Sequence, residues 1–144
     1  MKKTLLVILI ILVVTASLGL CACTKYKSSY SATMLICQET NNKATMDFEK
    51  ITGTKVFQLK WKEDSESIIQ YTGSLEKGSL KVYYDCGEGK EELFTLKAGE
   101  SVELAYGGKA LNGATTYIIV ETDGKCEGGR LTFKLIHKEE VWKI

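Results

Sequence analysis

From Met34 onward the apolar residues recur at every second position rather than every third or fourth. Phe57, Leu59 and Trp61 alternate with Gln58, Lys60 and Lys62, the spacing of a strand with one buried face and one wet face. The same period runs through Leu80-Val82-Tyr84, Val102-Leu104-Tyr106 and Leu131-Phe133-Leu135. Shorter candidates lie at Met34 to Cys37, Met46 to Phe48, Ile69 to Tyr71 and Leu93 to Leu96. Tyr117 to Val120 is a continuous β-branched run with an aromatic lead, suited to a central strand buried on both faces. Turn chemistry separates these stretches at Asn41-Asn42, Glu63 to Glu66, Gly87 to Lys90, Gly107 to Gly113 and Asp123 to Lys125. The pattern predicts an all-β domain over residues 34–144, an antiparallel β-sandwich or jelly roll of about seven to nine strands. No segment carries a long helical stripe. His137 to Ile144 reads as a short terminal turn or a last strand carrying Trp142.

The first 23 residues break this pattern. Lys2 and Lys3 precede an unbroken apolar run from Leu5 to Val14, and small residues follow up to Cys23. A basic start, an apolar middle and a small-residue exit form an export signal. Leu20-Cys21-Ala22-Cys23 resembles the lipobox of bacterial lipoproteins. That resemblance implies cleavage after residue 22 and lipidation of the Cys23 thiol, with Cys21 as a rival acceptor behind the bulkier Leu20. It also implies two acyl chains, the number that stable anchoring requires. An uncleaved transmembrane anchor over Thr4 to Ala22 is the alternative, being about long enough to span a bilayer; plain secretion is a third. The expected organisation is a signal-peptide helix over 1–22, a lipidated N-terminus with a flexible tether over 23–33, and the domain. Its expected place is the extracytoplasmic face of the membrane. Docking of part of the tether as an edge strand stays open.

Composition narrows the partners. Loss of residues 1–22 removes two lysines and no acid, leaving 17 basic and 18 acidic side chains. That balance argues against nucleic acid and against a polybasic membrane patch. The chain has no proline, so its turns fall to Gly, Asn, Asp and Ser.

Three further segments, Lys77 to Val82, Asn112 to Glu121 and Gly128 to Phe133, are similar to a class of small β-sandwich lipoproteins of Gram-positive bacteria. In these a glycine repeatedly leads into an aliphatic strand. The resemblance implies turns and a fold but transfers no functional residue.

Candidate chemistry is sparse. Cys37, Cys86 and Cys126 remain after processing. Cys86 and Cys126 are the candidate disulfide, since one ends a strand and the other begins one; three buried thiols are the alternative. His137 is the only histidine, no metal-ligand spacing is present, and no cofactor motif is found. Asp85, Glu88, Glu91 and Glu92 supply the acids for a glycoside-hydrolase pair or, with Asp123, oxygen ligands for calcium; solvated turn acids are the plainer reading. Tyr83, on the outward parity of its strand, and Trp142, outside the core rows, are candidate aromatics for stacking on a sugar or anchoring a protein. The expectation is a non-catalytic binding module for a protein or glycan. A glycan hydrolase using an acid pair, or an inhibitor of a wall-degrading enzyme, is the alternative.

Overall fold

The computed structural model describes residues 3–4 and 25–143. The apolar leader, the cleavage position, Cys21 and Cys23 lie outside the described residues. The body consists of β1 (Ser29–Thr33), β2 (Ile36–Glu39), β3 (Lys43–Lys60), β4 (Ser67–Asp85), β5 (Glu91–Lys97), β6 (Ser101–Gly107) and β7 (Thr115–His137), followed by a 3₁₀ turn over Lys138–Lys143. These strands pair with one another antiparallel. The order is β1-β3-β7-β4-β5, with β2 also on β3 and β6 also on β4.

The alternating segments of the sequence are therefore halves of longer strands. β3 has 18 residues and would span about 60 Å if straight. Yet Lys60 donates its N–H to the carbonyl of Asn41 at 2.6 Å, so β3 doubles back. The fold-back sits at the register shift between Ile51 and Thr54. Gly53 there has φ 120°, and a Cβ would lie 2.3 Å from the Ser29 carbonyl oxygen; only glycine takes that path without strain. β4 bends likewise at the shift between Lys77 and Ser79. Its two ends meet again at Gly108, where a Cβ would lie 3.0 Å from both Ile69 and Tyr84. The predicted turn at Asp123 to Lys125 does not end a strand, because β7 runs through it.

Folding over in this way makes one sheet into two facing layers. Phe57 meets Phe133 with ring centres 6.3 Å apart, Phe94 meets Phe133 at 6.2 Å, and Tyr71 stacks on Phe94 at 4.5 Å. The predicted inward rows Phe57/Leu59/Trp61, Leu80/Val82/Tyr84 and Leu131/Phe133/Leu135 are all buried. Each large side chain contributes roughly 1.5–3 kcal/mol on burial. β7 is the central strand, and Ile118, Ile119 and Val120 are buried in succession. The row expected in β6 differs. Between the pairs Tyr71–Ala105 and Gly73–Val102 the β6 strand holds one residue more than β4, a bulge in β6 that changes its parity, so Val102 and Ala105 pack on the core while Leu104 is exposed.

The flexible tether expected over 23–33 is corrected from Lys25 onward. Ser29–Thr33 forms β1 on β3, and Ser28 Oγ accepts the Val56 N–H at 2.8 Å. The tether residues are polar, but their backbone finds an open edge on β3. Strand pairing needs backbone groups rather than an apolar pattern, which is why periodicity did not reveal it.

Candidate functional site

Two loops at one end of the sandwich enclose a cleft of about 520 Å³. One is the loop after β3, residues 61–66, and the other is residues 108–114 before β7. Ser67 ties them together. Its hydroxyl is buried, donates to the Ala110 carbonyl and accepts the Ala110 N–H, both at 2.7 Å. Asn112 donates to Asp64 at 2.5 Å, and Gly113 donates to the Trp61 carbonyl at 2.8 Å. Trp61 in turn donates its indole N–H to the Ser65 carbonyl at 2.8 Å.

The wall of the cleft carries Asp64 and Glu66 against Lys109 and Lys138. Lys138 pairs with Glu66 at 3.1 Å, and Lys109 pairs with Glu88 at 2.6 Å. Opposite charges balance, so the cleft offers both donors and acceptors without a net field. Trp142 stands on the 3₁₀ turn that begins at Lys138 and is 82% exposed. Four residues of 3₁₀ rise put it about 8 Å along from that lysine.

His137 lies beside the cleft. Its ring packs edge-on against Trp61 at 5.0 Å. Ser65 Oγ lies 2.6 Å from Nδ1, and the Glu63 carboxylate binds Nε2. The β4–β7 register, which sets Ser67 opposite His137, brings these three together. No local sequence signal announces them. Their order is that of a nucleophile, base and acid, but Glu63 is half exposed and Ser65 is on the rim, which suits a fastening of the loop.

The second organised group surrounds Asp85, at the end of β4. Its carboxylate is fully buried. Oδ2 accepts the Tyr26 hydroxyl at 2.8 Å and pairs with the Lys25 ammonium at 2.8 Å; Oδ1 accepts the Gly87 and Gly89 N–H groups at 2.8 and 3.2 Å. Burial alone would raise this carboxyl. Lys25, the two amides and the Tyr26 hydroxyl outweigh that and hold it well below the usual carboxylate range. Tyr26 also packs edge-on against Tyr117 at 5.2 Å. Asp85 is thus a clamp on the N-terminal segment and on the β4–β5 turn.

The other acids are separately engaged. Glu91 accepts the Tyr84 hydroxyl at 2.6 Å, Glu92 accepts from Thr95 at 2.5 Å, and Glu88 holds Lys109. Asp123 pairs opposite Ser79, whereas Asp85 pairs opposite Tyr117, so the calcium grouping is not assembled. Among the described residues no cluster of acids, cysteines and histidine is arranged to hold a metal.

The expected Cys86–Cys126 bridge is corrected: both are free thiols, as is Cys37. Cys86 follows Asp85, the partner of Tyr117, while Cys126 sits far along β7 opposite Ile51. That one ends a strand and the other borders a turn in the sequence does not bring them to one end of the sandwich. Cys126 instead lies at the fold-back, where its thiol donates to the Ser79 carbonyl at 3.1 Å. Tyr83 is half-buried, with the Lys90 ammonium 4.3 Å from its ring centre. Lys90 also pairs with Glu121 at 2.6 Å, so this face of Tyr83 is covered. Among the described residues no ring contact joins Tyr83 to Trp142, and only Trp142 stands open.

No protein-family model and no curated protein matches the chain. Among solved structures, a family 61 carbohydrate-binding module in complex with β-1,4-galactotriose is 11% identical, with 78% of this chain and 89% of that one covered and a TM-score of 0.45. A family 29 carbohydrate-binding module is 14% identical over 76% of this chain and 77% of its own, with a TM-score of 0.39. A variant of a family 29 module with mannohexaose bound is 13% identical over 78% and 92%, also at 0.39. These distant likenesses concern strand arrangement alone.

Proposed function

We propose that this protein is a lipid-anchored extracytoplasmic lipoprotein whose sandwich domain is a non-catalytic binding module for a glycan. The anchor reading rests on the lipobox-like Leu20-Cys21-Ala22-Cys23 behind its apolar run. The binding reading rests on one observation, the charge-balanced cleft between the 61–66 and 108–114 loops. Sugars present many neutral hydroxyls, each able to donate and accept. A wall of paired acids, lysines and an amide can exchange its internal hydrogen bonds for such a ligand, and the exposed Trp142 ring offers an apolar face for a sugar ring. A polyanion would find no surplus positive charge here.

Two experiments test this. Labelling with a fatty acid should tag the protein, and Cys23→Ala should abolish the tag; persistent labelling would move the acceptor to Cys21. A glycan array probed with the full-length protein should give a ligand whose affinity falls about tenfold in Trp142→Ala, the loss of one stacked ring. Silence across the array would remove the glycan reading. A second reading, a hydrolase, has one observation in its favour, Ser65 Oγ beside His137. Covalent capture of Ser65 by a fluorophosphonate would establish it in place of the first.

A further inference from the structure

The clamp at Asp85 and the anchor reading together determine how the domain faces the membrane. This inference rests on lipidation of Cys23. One residue, Thr24, separates Cys23 from Lys25. Whatever the backbone there does, the two Cα atoms lie no more than about 7.6 Å apart. Lys25 and Tyr26 are both held by the Asp85 carboxylate, Tyr26 packs on Tyr117, and the chain passes directly through Ser28 into β1. No slack remains between the acylated residue and the body. A ten-residue flexible linker would have reached roughly 15–20 Å.

The point of attachment lies at the cleft end. Asp85 caps the turn containing Glu88 through the Gly87 and Gly89 amides. Glu88 is paired with Lys109, a wall residue of the cleft. The opposite end is the fold-back, where Lys77 is exposed. It is eight residues from Asp85, about 26 Å along an extended strand. We infer that the sandwich rests with its cleft end against the outer surface of the bilayer and its fold-back pointing away. The partner of this end is the lipid headgroup layer, and the ligand of the cleft is a glycan presented at that level. Lysines and acids balance at this end, so the covalent anchor and the clamp, rather than charge, hold it there.

The test uses the acylated full-length protein in phosphatidylcholine–phosphatidylglycerol vesicles containing a headgroup nitroxide lipid. The emission that Trp142→Phe removes is the Trp142 signal. It should fall about twofold with the nitroxide, since Trp142 follows the end of β7 that pairs with Ser67 at the cleft. A tryptophan placed at the far end, Lys77→Trp in the Trp142→Phe background, should be unaffected. Fifteen Gly and Ser residues inserted after Thr24 add roughly 20 Å of reach and should abolish the Trp142 quenching while the protein still floats with vesicles. Equal quenching at both ends, or stronger quenching at position 77, in protein that floats would overturn the orientation and leave the anchor standing. Protein that is not acylated and does not float would overturn both.

Discussion

The ring of Phe48 lies over Gly129, its partner on β7, so closely that a Cβ on Gly129 would fall 2.2 Å from Phe48 Cζ. The ring takes the place of the missing side chain and seals the backbone where β3 and β7 bend together. Gly129→Ala should therefore overpack this point and cost about 1–3 kcal/mol in chemical denaturation. Phe48→Leu in the same chain should recover part of the loss. Additive losses in the double variant would show that the two residues do not compete for the space.

Asp85 predicts an acid limit. Its folded carboxyl is held below the usual range, so its contribution is complete above the unfolded value near pH 4. It is lost as pH falls from there toward the lowered folded value. Asp85→Ala should cost about 1–3 kcal/mol at neutral pH, since the Gly87 and Gly89 amides and the Tyr26 hydroxyl lose their acceptor. It should also flatten the acid side of the stability profile measured by thermal unfolding.

Tyr84 predicts an alkaline limit. Burial, and then the hydrogen bond to Glu91, push its hydroxyl up to about 12. An acid raised on folding stabilises fully below its unfolded value and loses that contribution as pH rises from about 10 to about 12. Tyr84→Phe should remove most of this alkaline slope. An unchanged slope would place its origin elsewhere.

The three thiols predict indifference to redox state. Cys37, Cys86 and Cys126 are free, so reductant should leave the melting temperature and the intact mass unchanged. Alkylation of the folded protein should begin at the half-buried Cys37, slowed because burial pushes that thiol up. Cys86 and Cys126 should react only on unfolding.

Ser67 predicts the integrity of the cleft. Ser67→Ala leaves the Ala110 N–H and carbonyl without their partner, a loss of about 1–3 kcal/mol. Amide exchange should rise first in residues 108–114, ahead of the β7 core. Uniform exchange across the domain would mean that the loop is held by other contacts.

The inward rows were legible because burial on one face of a strand enforces alternation, and Phe57, Leu59, Trp61, Leu131, Phe133 and Leu135 obey it. Strand length was not. Gly53 and Gly78 look like terminators, yet pairing continues on both sides of each bend, and local composition is the same either way. The cleft was illegible for a different reason. Ser65, Ala110 and Lys138 share it only because β4 and β6 pair and β7 ends beside β4, which is information held in register. Asp85 appeared as one solvated turn acid among several, because its partners Lys25 and Tyr26 lie 60 and 59 residues earlier. The exposure of Trp142 was readable from its place outside every row.

β3 and β4 do not pair with each other; each pairs with β7, which lies between them and comes last in the chain. The layer holding residues 54–60 and 79–85 gains its middle from residues 115–123, and the layer holding 43–51 and 67–77 gains its middle only from residues 126–137. Closure of the core thus rests on pairings between residues far apart in sequence, a pattern that slows folding.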